Sequence, residues 1–135
     1  MDDNAIIVEA WNTVLFDKFS RYRHIVVAGL SGHSDELLSR APFPPGTRVL
    51  DIGSDGEAAG VDCAPRFVEA ATRDAAAEGV ANARFVVADA QTDDLGGPYD
   101  HVFSRFGTMF FALPGAALRN IRRALAPGGT LTQIV

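Results

Sequence analysis

Three aspartates, Asp51, Asp62 and Asp89, each stand at or just past the end of a short apolar run. Such runs read as buried strands. If those strands are parallel, their carboxyl ends share one edge of a sheet, and open α/β sheets bind ligands at that edge. The three carboxylates would then line one crevice although they lie far apart in the chain. An aspartate after the second strand can accept hydrogen bonds from two ribose hydroxyls. One after the third can accept from an adenine amino group, while the next amide, of Ala90, donates to the ring. Plainer readings stand beside these. Asp51 could cap a loop, Asp62 could be an N-terminal residue of the helix that opens at Pro65, and Asp89 could serve a turn with Thr92 to Asp94.

Arg105 follows a fourth apolar run, where an arginine facing the crevice can pair with a carboxylate. Cys63 is the single cysteine, which excludes an internal disulfide and a zinc cluster, suits a reducing cytosol, and reads as an inert small residue near the crevice. His24 and His33 read as surface residues and His101 as a structural residue within a strand. No metal site and no general base is assigned.

With 135 residues there is room for one compact domain. The 47% hydrophobic and 21% charged content is that of a globular chain rather than a disordered one. The net charge of −5 and the lack of a basic run make nucleic acid and anionic membranes poor partners. Met1-Asp2-Asp3-Asn4 lacks the basic start and apolar core of a signal peptide, and no apolar stretch is long enough to cross a bilayer. A cytoplasmic protein without membrane insertion is expected.

Elements must position these residues. Ile7, Trp11, Val14, Leu15, Phe19 and Tyr22 share one face of a helix over 5–26, which Gly29 and Gly32 end. Ser34 to Ala41 reads as a short second helix. Pro42, Pro44, Pro45 and Gly46 form a stiff linker, dividing a helical segment, 1–44, from a main domain, 45–135. Strands are expected at Arg48 to Ile52, Ala58 to Val61, Ala83 to Ala88, Tyr99 to Phe103 and Thr130 to Val135. Pro65 opens a helix that stops at Gly79, with Phe67, Ala71 and Ala75 as its apolar stripe. Pro114 precedes another to about Ala126, with Leu118, Ile121 and Leu125 inward, and Pro127-Gly128-Gly129 reads as a turn. Strands alternating with helices predict an α/β fold with a Rossmann-like, doubly wound, mostly parallel sheet.

Val49-Leu50-Asp51-Ile52-Gly53, Gly60-Val61-Asp62, Ala88-Asp89-Ala90-Gln91, Ser104-Arg105-Phe106-Gly107 and Leu125-Ala126-Pro127-Gly128-Gly129 follow one another in the order found in class I S-adenosylmethionine-dependent methyltransferases. The chain resembles most the branch of ubiquinone and menaquinone biosynthesis methyltransferases, which the Trp11-Asn12 start and the Phe103 to Phe111 stretch also fit. The resemblance implies S-adenosylmethionine as cofactor and a small-molecule acceptor beneath the N-terminal helices. It implies a cofactor site of Asp51, Gly53, Asp62, Cys63, Asp89, Ala90, Ser104 and Arg105, with Ser104 and Arg105 beneath the methionine end. Trp11, Phe19 and Tyr22 would belong to a lid, and Met109 would line the acceptor pocket. An aromatic or methionine run at such spacing can equally be plain core.

The chain departs from that pattern after Gly53. The family continues with a glycine-rich loop and a helix, whose amides cradle the methionine carboxylate. Here only Ser54, Asp55 and Gly56 precede Glu57, whereas adjacent parallel strands are expected to need a crossover of about a dozen residues. Either the sequence skips a segment or the protein has a real deletion. Asp55-Gly56 is a good hairpin turn, so a deletion could make the first two strands antiparallel and carry Asp62 to the far end of the sheet. Beyond Val135 the family adds an antiparallel pair of strands. The sheet is therefore expected to be incomplete there, or to pair with another copy as a homodimer. Besides methyl transfer, a non-catalytic remnant serving as a binding or dimerisation module stays open. A nicotinamide-dependent oxidoreductase would want a G-x-G-x-x-G after the first strand, which is absent.

Overall fold

The N-terminal residues form two helices, α1 (Asp3–Asn12) and α2 (Val14–Arg40). These come from a computed structural model that describes residues 3–40, 43–53 and 59–135. The break falls at Thr13, not at the glycines. The Thr13 hydroxyl donates to Glu9 O at 2.7 Å, and its carbonyl accepts from Asp17 N at 3.2 Å to start the next helix. α2 runs straight through Gly29 and Gly32. Each costs a helix roughly 1 kcal/mol relative to alanine, which 27 residues of continuous hydrogen bonding absorb. The separate short helix expected at Ser34 to Ala41 is therefore the last part of α2, and Ala41 and Pro42 lie outside the described residues.

From Thr47 onward come β1 (Val49–Ile52), β2 (Ala59–Asp62), α3 (Pro65–Ala77), β3 (Phe85–Val87), β4 (Tyr99–Arg105), a 3-10 turn (Thr108–Phe110), α4 (Pro114–Ala124) and β5 (Leu125–Ile134). Proline opens both α3 and α4, where its missing N–H costs nothing and its fixed φ suits the first helical position. α3 ends in a Schellman motif: Val80 N donates to Ala75 O at 2.9 Å and Gly79 N to Ala76 O at 3.2 Å, with Gly79 at φ 71°.

All five strands are parallel, in the order β3-β2-β1-β4-β5. The order reverses between β1 and β4. Right-handed crossovers on either side of that point put α3 and α4 on opposite faces. Accordingly Ile121 and Ala124 of α4 pack with Leu50, Ile52, Val61 and Val102 in the main core, which Val68, Ala71 and Ala75 of α3 do not join. At the centre of the sheet Leu50, Ile52, Val61, Val102 and Phe103 are buried, which explains the apolar runs of β1, β2 and the end of β4, whereas at one edge Val86 and Val87 of β3 are exposed. On α4 the inward residues are Ala117, Ile121 and Ala124, while Leu118 is 44% exposed and Leu125 already belongs to β5.

Two expectations fail at the strands. β1 and β2 pair in parallel, Leu50 with Ala59 and Ile52 with Val61, so a hairpin is excluded and Asp62 stays on the edge that holds Gly53. The dozen-residue minimum does not bind here because both strands have only four residues. The return from Gly53 to Ala59 covers three residues along the strand and one strand spacing, roughly 11 Å, within the roughly 20 Å reach of six peptide steps. Second, Pro127-Gly128-Gly129 does not end one element and start another. Tyr99 pairs with Leu125 and His101 with Thr130, so residues 126–129 bulge opposite Asp100 within one strand.

Candidate active site

A cavity of about 480 Å³ opens at the carboxyl edge of the sheet, beside the point where strand order reverses. Gly53 after β1, Asp62 and Cys63 at the end of β2, Ala88 to Gln91 after β3, and Arg105 to Gly107 at the end of β4 form its floor and walls. The expected convergence of distant strand ends therefore occurs. Parallel register alone brings these residues together.

Close packing of β1 against β4 shapes the floor. Ser104 is wholly buried and its hydroxyl donates to Ile52 O at 2.9 Å. A Cβ on Gly107 would lie 3.0 Å from Ser104 Oγ and 3.1 Å from Ile52 O, and one on Gly53, at φ 74°, would lie 3.4 Å from the Gly107 Cα. Ser104 thus ties two strands together and does not reach the cavity, contrary to the place expected for it. Asp51 is likewise buried in β1 and does not line the cavity; its Oδ2 lies 3.9 Å from Arg105 Nη2, and Arg105 does line it.

Asp62 accepts the Ala64 amide on Oδ1 at 2.7 Å. Burial pushes its carboxyl up from 3.8 to about 6, with the Ala64 hydrogen bond opposing the shift. The helix-capping alternative is not realised as such. Ala64 is the residue before α3, and the carbonyl that accepts from the helix's Arg66 N belongs to the Asn12 side chain, at 3.0 Å. Cys63 is held as a neutral thiol: burial first, then the carboxylates of Asp62 and Asp89, push it up to about 11. That agrees with an unreactive residue beside the cavity.

Asp89 is held by several donors. Its Oδ1 accepts from the Gln91 amide at 2.9 Å and from Gln91 Nε2 at 3.1 Å, and its Oδ2 accepts from Asn4 Nδ2. The turn expected after it exists as well, since Asp93 N donates to Asp89 O and the Asp89 amide donates to Asp93 Oδ2.

The roof comes from α1 and α2. Asn4, Ile7 and Trp11 lie on one face of α1 and line the cavity, joined by Phe19, Val26, Val27 and Leu30 of α2. Trp11 meets Phe67 and Phe110 edge-on at centroid distances of 5.8 and 4.9 Å, and Phe16 and Phe19 meet the same Phe67 at 4.9 and 5.4 Å. Arg66 fastens this corner: its guanidinium lies 4.1 Å over the Phe16 ring and 2.8 Å from Asp17. Trp11, Phe19 and Met109 line the cavity. Tyr22 does not; it is 47% exposed, with the Arg21 guanidinium 5.6 Å over its ring. Phe67, expected in a core stripe, stands in the cavity wall instead.

His101 behaves as a strand residue: its Nδ1 lies 2.6 Å from Thr130 Oγ1, and burial lowers its pKa. Asn4 and Gln91 line the cavity without having been assigned to it; Ile7 joins it from the face it shares with Trp11, and Phe110 and Phe111 from the run with Met109 that could line an acceptor pocket or pack in the core. The 4-7-11 spacing in α1 was the available signal. Among the described residues there is no group of three metal-ligating side chains, and no helix is long and apolar enough to cross a membrane.

Residues 46–129 match the model of a family described as Methyltransferase domain, more than half of the chain. Similar solved structures include the YcgJ protein from Bacillus subtilis, 26% identical with a TM-score of 0.67 over 73% of this chain and 48% of that one. Magnesium protoporphyrin IX methyltransferase from Synechocystis PCC 6803, solved with bound SAH, is 18% identical with a TM-score of 0.72 over 91% of this chain and 68% of that one. The cyclase SpnF is 22% identical with a TM-score of 0.65 over 73% of this chain and 42% of that one. The chain thus spans less than half the length of the first and the last of these.

Proposed function

The chain belongs to the methyltransferase domain family, and on that premise we propose that it transfers a methyl group from S-adenosylmethionine to a small-molecule acceptor. One observation carries the reading. Asp62, Asp89 and Arg105, from the ends of three different strands, share one otherwise largely apolar cavity. This donor set fits the cofactor. Asp62 would accept from the ribose hydroxyls, Asp89 with Ala90 would hold the adenine, and Arg105 offers a cation for a carboxylate. When bound, the cofactor supplies an already activated methyl group on a positively charged sulfur.

The protein's part is then placement and dryness. Asp62 and Asp89 fix one end of the ligand by hydrogen bonds. Trp11, Phe19, Phe67 and Phe110 exclude water from the cavity and suit an apolar acceptor. The resemblance to the quinone-biosynthesis branch rests on the sequence motifs alone, and such an acceptor would suit it. The neutral Cys63 thiol is a poor nucleophile, so a covalent enzyme intermediate has no support here.

A second reading, a binding module without catalysis, is favoured by one feature. Five residues between Gly53 and Ala59 leave no room for a glycine-rich loop followed by a helix. Calorimetric titration of the 135-residue chain with S-adenosylhomocysteine tests the cofactor site. Binding at micromolar Kd is expected, and no heat at ligand concentrations up to about a millimolar removes the reading.

A further inference from the structure

α4 grips the turn that would hold the nucleobase. Asn120 sits on the inner side of that helix, beside the buried Ala117 and Ile121. Its carboxamide Nδ2 donates to Ala90 O at 3.0 Å and to Asp93 O at 2.7 Å. Both partners are carbonyls, so only the NH2 end of the side chain can face them, and both of its hydrogens are used. About two turns earlier, the amide of Leu113, the residue before the helix, donates to Gln91 Oε1. Gln91 in turn donates from Nε2 to Asp89 Oδ1 at 3.1 Å.

The turn is closed on itself. Thr92 N and Asp93 N donate to Asp89 O at 3.1 and 2.9 Å, and Asp93 Oδ2 accepts the Asp89 amide at 2.8 Å. The Ala90–Gln91 peptide inside it is held at both ends: its carbonyl accepts from Asn120, and its N–H donates to Asp89 Oδ1 at 2.9 Å. These internal bonds fix the shape of the turn. Its place in the molecule needs outside support, because β3, which leads into it, is a three-residue edge strand with Val86 and Val87 exposed. That support comes from the buried Ala88 and Ala90 and from the two bonds that Asn120 brings from α4.

We propose that Asn120 is a positioning residue for base selection: it holds the Asp89 carboxylate and the Ala90 amide in the placement that a 6-aminopurine needs. This rests on the cofactor reading given above. An adenine edge presents an amino donor beside a ring-nitrogen acceptor. Asp89 and Ala90 offer the complement, a carboxylate acceptor beside an amide donor. Hypoxanthine reverses both, with an oxygen in place of the amino group and a hydrogen on the ring nitrogen. Discrimination between the two bases therefore depends on where one carboxylate and one amide stand. Asn120 itself does not line the cavity, so it acts through the turn.

The test is calorimetric titration of the full 135-residue chain with S-adenosylhomocysteine and with its inosine analogue, in which an oxygen replaces the 6-amino group. Thermal melts establish that each variant is folded. The natural chain is expected to favour the adenine ligand at least about tenfold, since the analogue forfeits a hydrogen bond to a charged group. Asn120→Asp, which turns an oxygen toward both carbonyls, and Asn120→Leu, which removes the donors, are each expected to cut that preference at least about fivefold. Ile121→Val, which loosens the wholly buried core contact of α4 without reaching the turn, is expected to keep it. A preference unchanged in the Asn120 variants makes that residue merely structural and overturns the proposal alone. An equal loss in Ile121→Val also overturns it, because selectivity would then follow stability. If the natural chain binds neither ligand, or both equally, the proposal falls together with the reading it rests on.

Discussion

Replacing Asp62 by asparagine should make the ligand-free protein more stable at neutral pH. The Asp62 carboxyl titrates near 6 in the folded chain against 3.8 when unperturbed, because burial disfavours its charged form. A carboxyl raised in this way supports folding while it is protonated, below about pH 4, and gives up that support as pH climbs through about 6. A shift of about two units corresponds to about 3 kcal/mol. Asparagine keeps an oxygen for the Ala64 amide but carries no charge to desolvate. Asp62→Asn is therefore expected to gain up to about 3 kcal/mol at pH 7, roughly 10 °C in Tm for a chain of this size. The gain should shrink toward zero at pH 4. Thermal melts of both proteins at intervals from pH 4 to 7.5 measure this. Parallel profiles, or a variant less stable than the natural chain at pH 7, would refute the burial argument. The same variant should bind S-adenosylhomocysteine at least about tenfold more weakly, because a charged acceptor is replaced by a neutral one. Stability and ligand affinity moving in opposite directions is the mark of a residue kept for binding.

Removing the Asn12 carbonyl in Asn12→Ala should cost about 1 kcal/mol in urea unfolding, the usual worth of a helix cap, and Asn12→Asp should restore most of it. Gly107→Ala sets a Cβ 3.0 Å from Ser104 Oγ and 3.1 Å from Ile52 O, so the β1–β4 contact must open; a loss of about 1–3 kcal/mol is expected in the same assay. Cys63, at about 11 instead of 9.0, should react with iodoacetamide at pH 8 about a hundredfold more slowly than a free thiol of unperturbed pKa, and faster in Asp62→Asn, which removes one of the charges opposing the thiolate.

The sheet was readable because the central strands carry short apolar runs that end at glycine or aspartate, and because Pro65 and Pro114 mark helix starts. The convergence of Asp62, Asp89 and Arg105 followed from parallel strands alone. Asp51 and Ser104 went astray for a local reason. Each precedes the last residue of its strand by one position, and in the two central strands that is enough to bury a side chain in the packing. Tyr22 went astray because α1 and α2 are two helices. A single helical period through Thr13 carries the stripe past the break, and the break turns Tyr22 out to solvent. Asn4 was not assigned to the site, since its partner lies 85 positions away and no local pattern announces such a bond. The parallel return after Gly53 contradicted a rule framed for strands of ordinary length.

That short return also bears on how the chain folds. Leu50 and Ala59 meet across only nine positions, whereas a strand-helix-strand unit usually closes about thirty. Loop-closure entropy grows with the logarithm of length, so this contact forms at a saving of about 1 kcal/mol over the usual parallel pair. Parallel sheets are slow to assemble because their first contacts are distant. Here the pair that carries Gly53 and Asp62 is instead the most local in the sheet, placing it among the earliest strand contacts available to the folding chain.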